Sequence, residues 1–303
     1  MPELPEVQTI VDDLNRKVSG RKIVSVWYDW PKMKAVAKTV DLVIERVERR
    51  GKNILFYFAP LSLRGSANRR RQSNLPNHPQ MILLVHQKMT GHLLVGKWSI
   101  RQAQDKKIAV PIEPESLKQK VNGYIHFILK LNDGRMIGLS DLRKFAKVVF
   151  GSANEIEALV ELKKLGTDAL EISLEEFSQK ISSRNKTIYQ VLMDQTVISG
   201  IGNIYASDIL WEAKIHPFRS AKKLLKKELE ALWQATKKVL KTALKLRGTS
   251  TSDYRDTAGE PGGYTDVRQA YDREGMPCFR CGTKIRRVKR GGRSAYFCPR
   301  CQS

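Results

Sequence analysis

The sequence predicts an α+β chain of more than one domain, with a strand-rich N-terminal part, a helical middle and a small C-terminal cysteine module. Three observations predict this. Short segments rich in Val, Ile, Phe and Tyr dominate the first 150 residues. Helical periodicity takes over after Gly151, and all four cysteines fall beyond position 277. A length of 303 residues suggests two or three modules rather than one core. The expected domains are 1–150, 151–270 and 271–303.

The elements follow in order. Val7, Ile10, Val11, Leu14 and Val18 lie on one face of a 3.6-residue period, which predicts a helix over Pro5–Val18 ended by Gly20. Strands are predicted at Ile23–Trp30, Leu42–Arg49, Ile54–Phe58, Met81–His86, His92–Trp98, Tyr124–Leu131, Met136–Leu139 and Lys147–Phe150, with a hairpin turn at Asn132-Asp133-Gly134. So many strands without intervening helices suggest an antiparallel sandwich or barrel. Two stretches interrupt them. Ser62–Pro79, rich in Arg, Asn, Ser and Pro, reads as a mobile loop, and Ser99–Asn122 shows no clear periodicity. Helices are then predicted at Glu155–Leu165, Leu174–Ser182, Thr187–Asp194, Asn203–Ala213 and Ala221–Leu246. Gly248–Gly263 reads as an exposed, flexible loop.

Charge narrows the partner. Fifty-four Lys and Arg against 31 Asp and Glu give a formal net charge of +23. Such a field draws polyanions, nucleic acid foremost; a basic surface kept for solubility and an anionic membrane are the alternatives. The basic residues are clustered. No acid occurs from Pro60 to Gln104, and eight Lys or Arg without an acid lie between Cys278 and Cys301. Clustering favours an electrostatic footprint for phosphates over general solvation. No run of 18 apolar residues predicts a membrane span. The acidic, polar start lacks the pattern of a secretory signal, so a cytoplasmic protein is expected; a monomer is expected as well.

Cys278-Phe-Arg-Cys281 and Cys298-Pro-Arg-Cys301 are two CxxC pairs, each able to present two thiolates from a tight turn. Four cysteine ligands leave no open position, so one structural Zn²⁺ is expected. Redox pairs or disulfides are the alternative, but no βαβ pattern surrounds them. The hairpin between the pairs is basic and suits phosphates. Thr187–Asp194 and Asn203–Leu210 read as helix, turn, helix, with Gly200 and Gly202 at the turn. Backbone N–H groups could meet a ligand there, and an ordinary helical hairpin fits equally well.

The start Met1-Pro2-Glu3-Leu4-Pro5-Glu6 allows two readings. Removal of Met1 would free a secondary amine on Pro2. A terminal amine has a reference pKa of roughly 8 and can attack a sugar C1′, with Glu3 as proton donor and Glu6 as relay. Otherwise the prolines begin a helix and the glutamates favour its dipole.

Taken together, the motifs resemble those of the formamidopyrimidine-DNA glycosylase family. They are PELPE at 2–6, Arg50-Gly-Lys52, His86–Gly91 (HQKMTG), Asp141–Phe145 (DLRKF), Gly202–Ser207 (GNIYAS) and the four-cysteine module, and they run through nearly the whole chain. The resemblance implies an N-terminal β-sandwich, a helix-two-turn-helix domain and a zinc β-ribbon. It implies a bacterial, nucleoid-associated base-excision repair enzyme. Such an enzyme acts on double-stranded DNA containing oxidised purines, notably 8-oxoguanine and formamidopyrimidines, or abasic sites. It excises the base and cleaves the strand by β,δ-elimination.

By match, Pro2 is the Schiff-base nucleophile, Glu3 the general acid, Glu6 an assistant, and Lys52 a phosphate contact that supports elimination. His86 falls in a motif that meets DNA. Met89, Arg143 and Phe145 match residues that fill the gap left by a flipped nucleotide, a role physically suited to apolar wedges and an arginine. Without the motif, Met89 and Phe145 would read as core. Lys186, Asn203 and Arg293 match phosphate contacts, Tyr205 reads as packed, and Gly248–Gly263 matches the segment that closes over the damaged base. The family often has Lys-His-Asp-His before the strand at 124, where Lys120-Val-Asn-Gly123 stands here. The phosphate-binding histidine is therefore expected to be lost.

Overall fold

The computed structural model describes residues 2–59, 79–103, 106–251 and 253–303. The expected loop Ser62–Pro79 lies outside them except for its last residue. The described residues form two compact units: one of Pro2, residues 6–163 and residues 250–262, the other of residues 3–5, 164–249 and 263–303. None of the described helices is long and apolar enough to cross a membrane.

The first unit begins with α1 (Leu4–Val18), whose residues from Glu6 onward belong to it. Its strands are β1 (Ile23–Tyr28), β2 (Ile44–Arg50), β3 (Asn53–Phe58), β4 (Met81–His86), β5 (His92–Ala103), β6 (Lys106–Glu113), β7 (Ile125–Leu131), β8 (Met136–Ser140) and β9 (Lys147–Ser152). They form a five-stranded sheet in the order β1-β7-β8-β5-β6 and a four-stranded sheet in the order β2-β3-β4-β9. Every pairing is antiparallel. Val7, Ile10, Val11, Leu14 and Val18 of α1 share one core with Phe56, Leu83 and Val85 of one sheet and Leu93, Phe127 and Leu129 of the other. The sheets therefore bury their facing sides together, as a sandwich does. The other side of the five-stranded sheet is covered too: Leu94, Trp98 and Ile128 pack with Leu117 in a second cluster.

Besides a stretch of 3-10 helix at Pro31–Thr39 that the sequence reading does not predict, two differences arise here. Strand β5 runs on to Ala103 and pairs with β6, where no strand is predicted. Ile100 and Ile112 in this hairpin are exposed, so no buried face imprints an alternating pattern. The helix predicted over Glu155–Leu165 is two short ones, α2 (Ala153–Glu157) and α3 (Val160–Lys163). Ser152 and Glu155 form a capping box at the start of α2.

The second unit contains α4 (Leu174–Ser182), α5 (Ile188–Leu192), α6 (Asn203–Glu212) and α7 (Lys226–Lys245). A short parallel pair, β10 (Thr167–Asp168) and β11 (Ile198–Ser199), precedes α6. Thr187 caps α5 in a capping box with Gln190. Helix α6 is buried almost throughout, and Ile204, Tyr205, Ile209 and Leu210 join Leu232, Val239 and Leu240 of α7 in one core. A β-ribbon, β12 (Arg286–Arg290) and β13 (Arg293–Phe297), follows between the cysteine pairs. All five residues of β12 are exposed, and four of them are Lys or Arg.

Candidate nucleic-acid interface and metal centre

In the helical unit, the site is built on the turn before α6. Gly202, Ile204 and Tyr205 donate their N–H groups to the Glu3 carboxylate at 2.7, 3.0 and 3.4 Å. Leu4 N–H donates to the Gly200 carbonyl at 3.0 Å. The N-terminal N–H groups of a helix have no partner within the helix, and the macrodipole favours an anion there. The ligand that the helix N-terminus invites in the sequence reading is therefore this chain's own Glu3. A Cβ on Gly202 would lie 2.4 Å from Glu3 Cδ and Oε1, so only glycine leaves the carboxylate its place.

The Tyr189 hydroxyl lies within hydrogen-bond reach of both the side-chain oxygen of Asn203, the first residue of α6, and the Ser294 carbonyl at 2.9 Å, and shares its one proton between them. Burial pushes the Tyr189 phenol well above its usual range, so it stays neutral. Arg293, next to Ser294, reaches 4.0 Å from Met193 Sδ. Thr187, Tyr189, Gln190, Met193, Arg290 and Arg293 line a cavity of about 130 Å³. Tyr189 thus ties two expected phosphate contacts, Asn203 and Arg293, to one place. Lys186, before α5, is exposed and lies 3.4 Å from Asp194.

The four cysteine sulfurs all lie within 4.8 Å of one another. Cys278 and Cys301 are 4.0 Å apart, and Cys281 and Cys298 3.6 Å. Tetrahedral Zn–S bonds of about 2.3 Å set sulfurs about 3.8 Å apart, so the cluster fits one zinc ion. Trp211 Nε1–H donates to Cys278 Sγ at 3.3 Å, holding a ligand from α6. Hydrogen bonds from Thr283 draw the Cys281 thiol down to about 6, while its bond with Cys281 pushes Cys301 up to about 12. Ionising all four sulfurs this close together needs a cation between them.

Sequence reading missed Asp208 on α6. Its buried carboxylate accepts from Ala270, Tyr271 and Gln269 N–H at 2.8, 3.0 and 3.2 Å and from the Tyr264 hydroxyl at 2.9 Å. Burial raises its pKa against these bonds. An aspartate inside the apolar run Ile204–Leu210 was the available signal.

In the β unit, Pro2, Glu6 and Lys52 are all buried. Lys52 follows Gly51 in the two-residue turn between β2 and β3. His86 ends β4. Burial first, then the charges of Lys88 and Lys52, lower its pKa to about 3, so the imidazole is neutral. Lys88 N–H donates to Nδ1 at 3.0 Å, which leaves the proton on Nε2. His86 can thus offer a phosphate or base a neutral donor rather than a cation.

Met89 is 44% and Phe145 50% exposed, so neither belongs to the core. Arg143 stacks its guanidinium 4.7 Å from the Phe145 ring centre. One buried carboxylate joins their two loops. Asp141 accepts from the Thr90 hydroxyl, beside Met89, and from Ala146 N–H at 2.7 Å; Thr90 Oγ1 accepts from Arg143 N–H at 3.1 Å. An aspartate bonded to both loops fixes the spacing of Met89, Arg143 and Phe145 within this unit.

The segment Gly248–Gly263 departs from its expected exposure. Thr249, Tyr254, Asp256 and Thr257 are buried. Tyr254 donates to the Glu6 carbonyl, Thr257 to Asp13, and Asp256 accepts from Ala258 N–H, so these polar residues are spent on the fold rather than on solvent.

The chain is similar to known proteins along nearly its whole length. The N-terminal domain model of formamidopyrimidine-DNA glycosylase matches residues 1–148, its H2TH domain model residues 165–255, and the zinc finger found in FPG and IleRS residues 275–303. The formamidopyrimidine-DNA glycosylase of Herpetosiphon aurantiacus is 33% identical, with 100% of each chain covered. The Lactococcus lactis Fpg, solved in complex with DNA containing an abasic site, is 26% identical with a TM-score of 0.78 over 99% of each chain. The MutM (Fpg) protein of Thermus thermophilus is 28% identical with a TM-score of 0.76, covering 99% of this chain and 98% of its own.

Proposed function

Since the chain belongs to the formamidopyrimidine-DNA glycosylase family, a family of DNA-repair glycosylases, we propose that it excises oxidised purines from duplex DNA and then cleaves the strand as an abasic-site lyase. The observation that supports this most is the Glu3 carboxylate, buried and held by three N–H groups directly after the residue that carries the nucleophile.

In this reading the neutral Pro2 nitrogen of the processed chain attacks C1′. The glycosidic bond breaks and its electron pair leaves with the base. The carboxylate of Glu3 takes up the proton that the Pro2 nitrogen sheds on attack and, as general acid, passes it to the ring oxygen as the C1′–O4′ bond opens, giving an iminium on Pro2. Loss of a C2′ proton then expels the 3′ phosphate, and a second elimination expels the 5′ phosphate. Glu6 assists proton transfer, and Lys52 steadies a phosphate through both eliminations. Met89, Arg143 and Phe145 fill the gap left by the extruded nucleotide, which offsets a few kcal/mol of unstacking. His86, Lys186, Asn203 and Arg293 bind the DNA around it, and residues 248–263 cover the damaged base. The zinc holds the basic ribbon in shape.

An iminium is reducible, so borohydride should trap the processed protein covalently on an 8-oxoguanine duplex. Pro2→Gly and Glu3→Gln should trap poorly. A wild-type protein that binds such duplexes but yields no adduct across several oxidised lesions would leave a DNA-binding role without this chemistry.

A further inference from the structure

Residues 250–262 are fastened to the β unit at several points. Thr257 Oγ1 donates to Asp13 Oδ2 at 2.8 Å and accepts from Lys17 Nζ at 2.7 Å; its carbonyl accepts from Val95 N–H at 2.7 Å. Ser116 Oγ donates to the Ala258 carbonyl. The least ordinary fastening is Asn122, a buried carboxamide. Its nitrogen donates to the Ser116 carbonyl at 2.8 Å and the Gly259 carbonyl at 3.1 Å. Two carbonyl acceptors settle which end is nitrogen, so the oxygen faces His92 Nε2 at 3.0 Å and must accept from it. His92 is buried as well; with its proton committed to Asn122, Nδ1 has none to give the Thr90 carbonyl, and His92 joins the Met89 turn through the chain itself, three residues after Met89. Gly259 has φ +84, and a Cβ there would come within 2.7 Å of Asn122 Nδ2.

We propose that Asn122 and His92 are positioning residues: a buried relay that sets residues 257–260 in register with the Met89 turn. The segment that covers an intact damaged base and the side chain that holds its gap open are thereby placed together. This rests on the roles proposed above for Met89 and for residues 248–263. The relay touches neither the sugar nor the reacting bonds. Its loss therefore weakens the handling of a base and spares the chemistry at a sugar that has none.

The test compares two substrates under single-turnover conditions: excision from an 8-oxoguanine duplex, and strand cleavage at a preformed abasic site. Asn122→Asp keeps an oxygen for His92 and loses both donated bonds. It should slow excision about tenfold, the worth of about one net hydrogen bond, and leave abasic-site cleavage within about twofold. His92→Leu should behave alike, whereas His92→Gln, which keeps a donor toward Asn122, should recover most of the excision rate. An equal fall on both substrates, or no fall on either, overturns the relay. Amide exchange reads it without catalysis. In Asn122→Asp, exchange should quicken both at 257–260 and at 89–91, and a change confined to one segment also overturns it. A wild-type protein inactive on both substrates would refute the proposed function, while the exchange result would still decide the relay.

Discussion

Replacing Gly202 with alanine tests the link between fold and chemistry most directly. Gly202 has φ −134 and ψ −156, an extended backbone open to alanine, so the methyl group itself is the perturbation. It would stand 2.4 Å from Glu3 Cδ and Oε1 and 2.8 Å from Cγ, where ordinary contact begins at 3.4 Å. The carboxylate has to retreat by about 1 Å, and the clash at Cγ means that turning its far end does not suffice. A displacement of that size costs about 10²-fold in a positioned reaction, or about 2.7 kcal/mol of barrier. The assay is single-turnover excision with the borohydride-trapped fraction measured in parallel, on protein shown to be folded. Gly202→Ala should be about 100-fold slower. In a Glu3→Gln background, already missing the acid, it should add little, because the two changes act through one group. A folded Gly202→Ala protein at the wild-type rate, or full additivity in the double variant, would refute the reasoning.

Arg293→Ala should weaken binding to all duplex sequences alike and reduce the slope of log affinity against log salt by about 1, measured by titration between 50 and 200 mM salt. A slope that does not move would remove Arg293 from the phosphate contacts. Metal analysis should find one zinc per chain, and Cys298→Ser or chelation should lower both zinc content and DNA affinity; affinity that survives complete zinc loss would detach the ribbon from binding. His86 makes stability pH-dependent in a defined direction. Its pKa is about 3 in the fold against 6.5 as the ordinary value, so the unfolded chain takes up the proton first. The contribution is fully present above 6.5 and is lost as pH falls toward 3, by at most about 1.4 kcal/mol per pH unit. Burial lowers His92 in the same sense. Urea midpoints from pH 7.5 to 5 should fall and should fall less in His86→Gln; midpoints that rise on acidification would contradict it.

How much of the fold was legible depended on how each element is buried. Helix α1 was readable because its apolar residues Val7, Ile10, Val11, Leu14 and Val18 lie on one face at helical spacing, while Thr9 and Asp13, buried elsewhere on the helix, are polar. Strands β5 and β7 showed only partial alternation because they are covered on both faces: Leu93 and Leu129 point into the sandwich, Leu94 and Ile128 into the second cluster. The outer part of the β5–β6 hairpin failed for the opposite reason, having neither face buried. In the stretch read as one helix over 155–165, Ile156 and Leu162 are buried while Val160 between them stands exposed, where the chain breaks into two short helices. Burial on one side writes a period into a sequence; burial on both sides or on none erases it.

The candidate site divides along a different line, the distance in sequence between a group and what holds it. The cysteine pairs were legible because each closes within three residues, and the clustered charge of β12 because it is contiguous. Pro2 and Glu3 stood out only as an unusual start, since the N–H groups that fix Glu3 lie about 200 residues away. Asp141 and Thr90, 51 residues apart, and Asn122 and Gly259, 137 apart, left no local trace of their pairing. The segment Lys120–Gly123 shows what this blindness costs. Read along the chain, this segment was marked only by the expectation of a missing histidine. In the fold it places an uncharged carboxamide at 122, and only an amide could both donate to two carbonyls and accept from a buried histidine. A carboxylate there would meet the carbonyls of Ser116 and Gly259 with lone pairs, so the asparagine is the form of that residue which lets residues 257–260 lie down against the sheet.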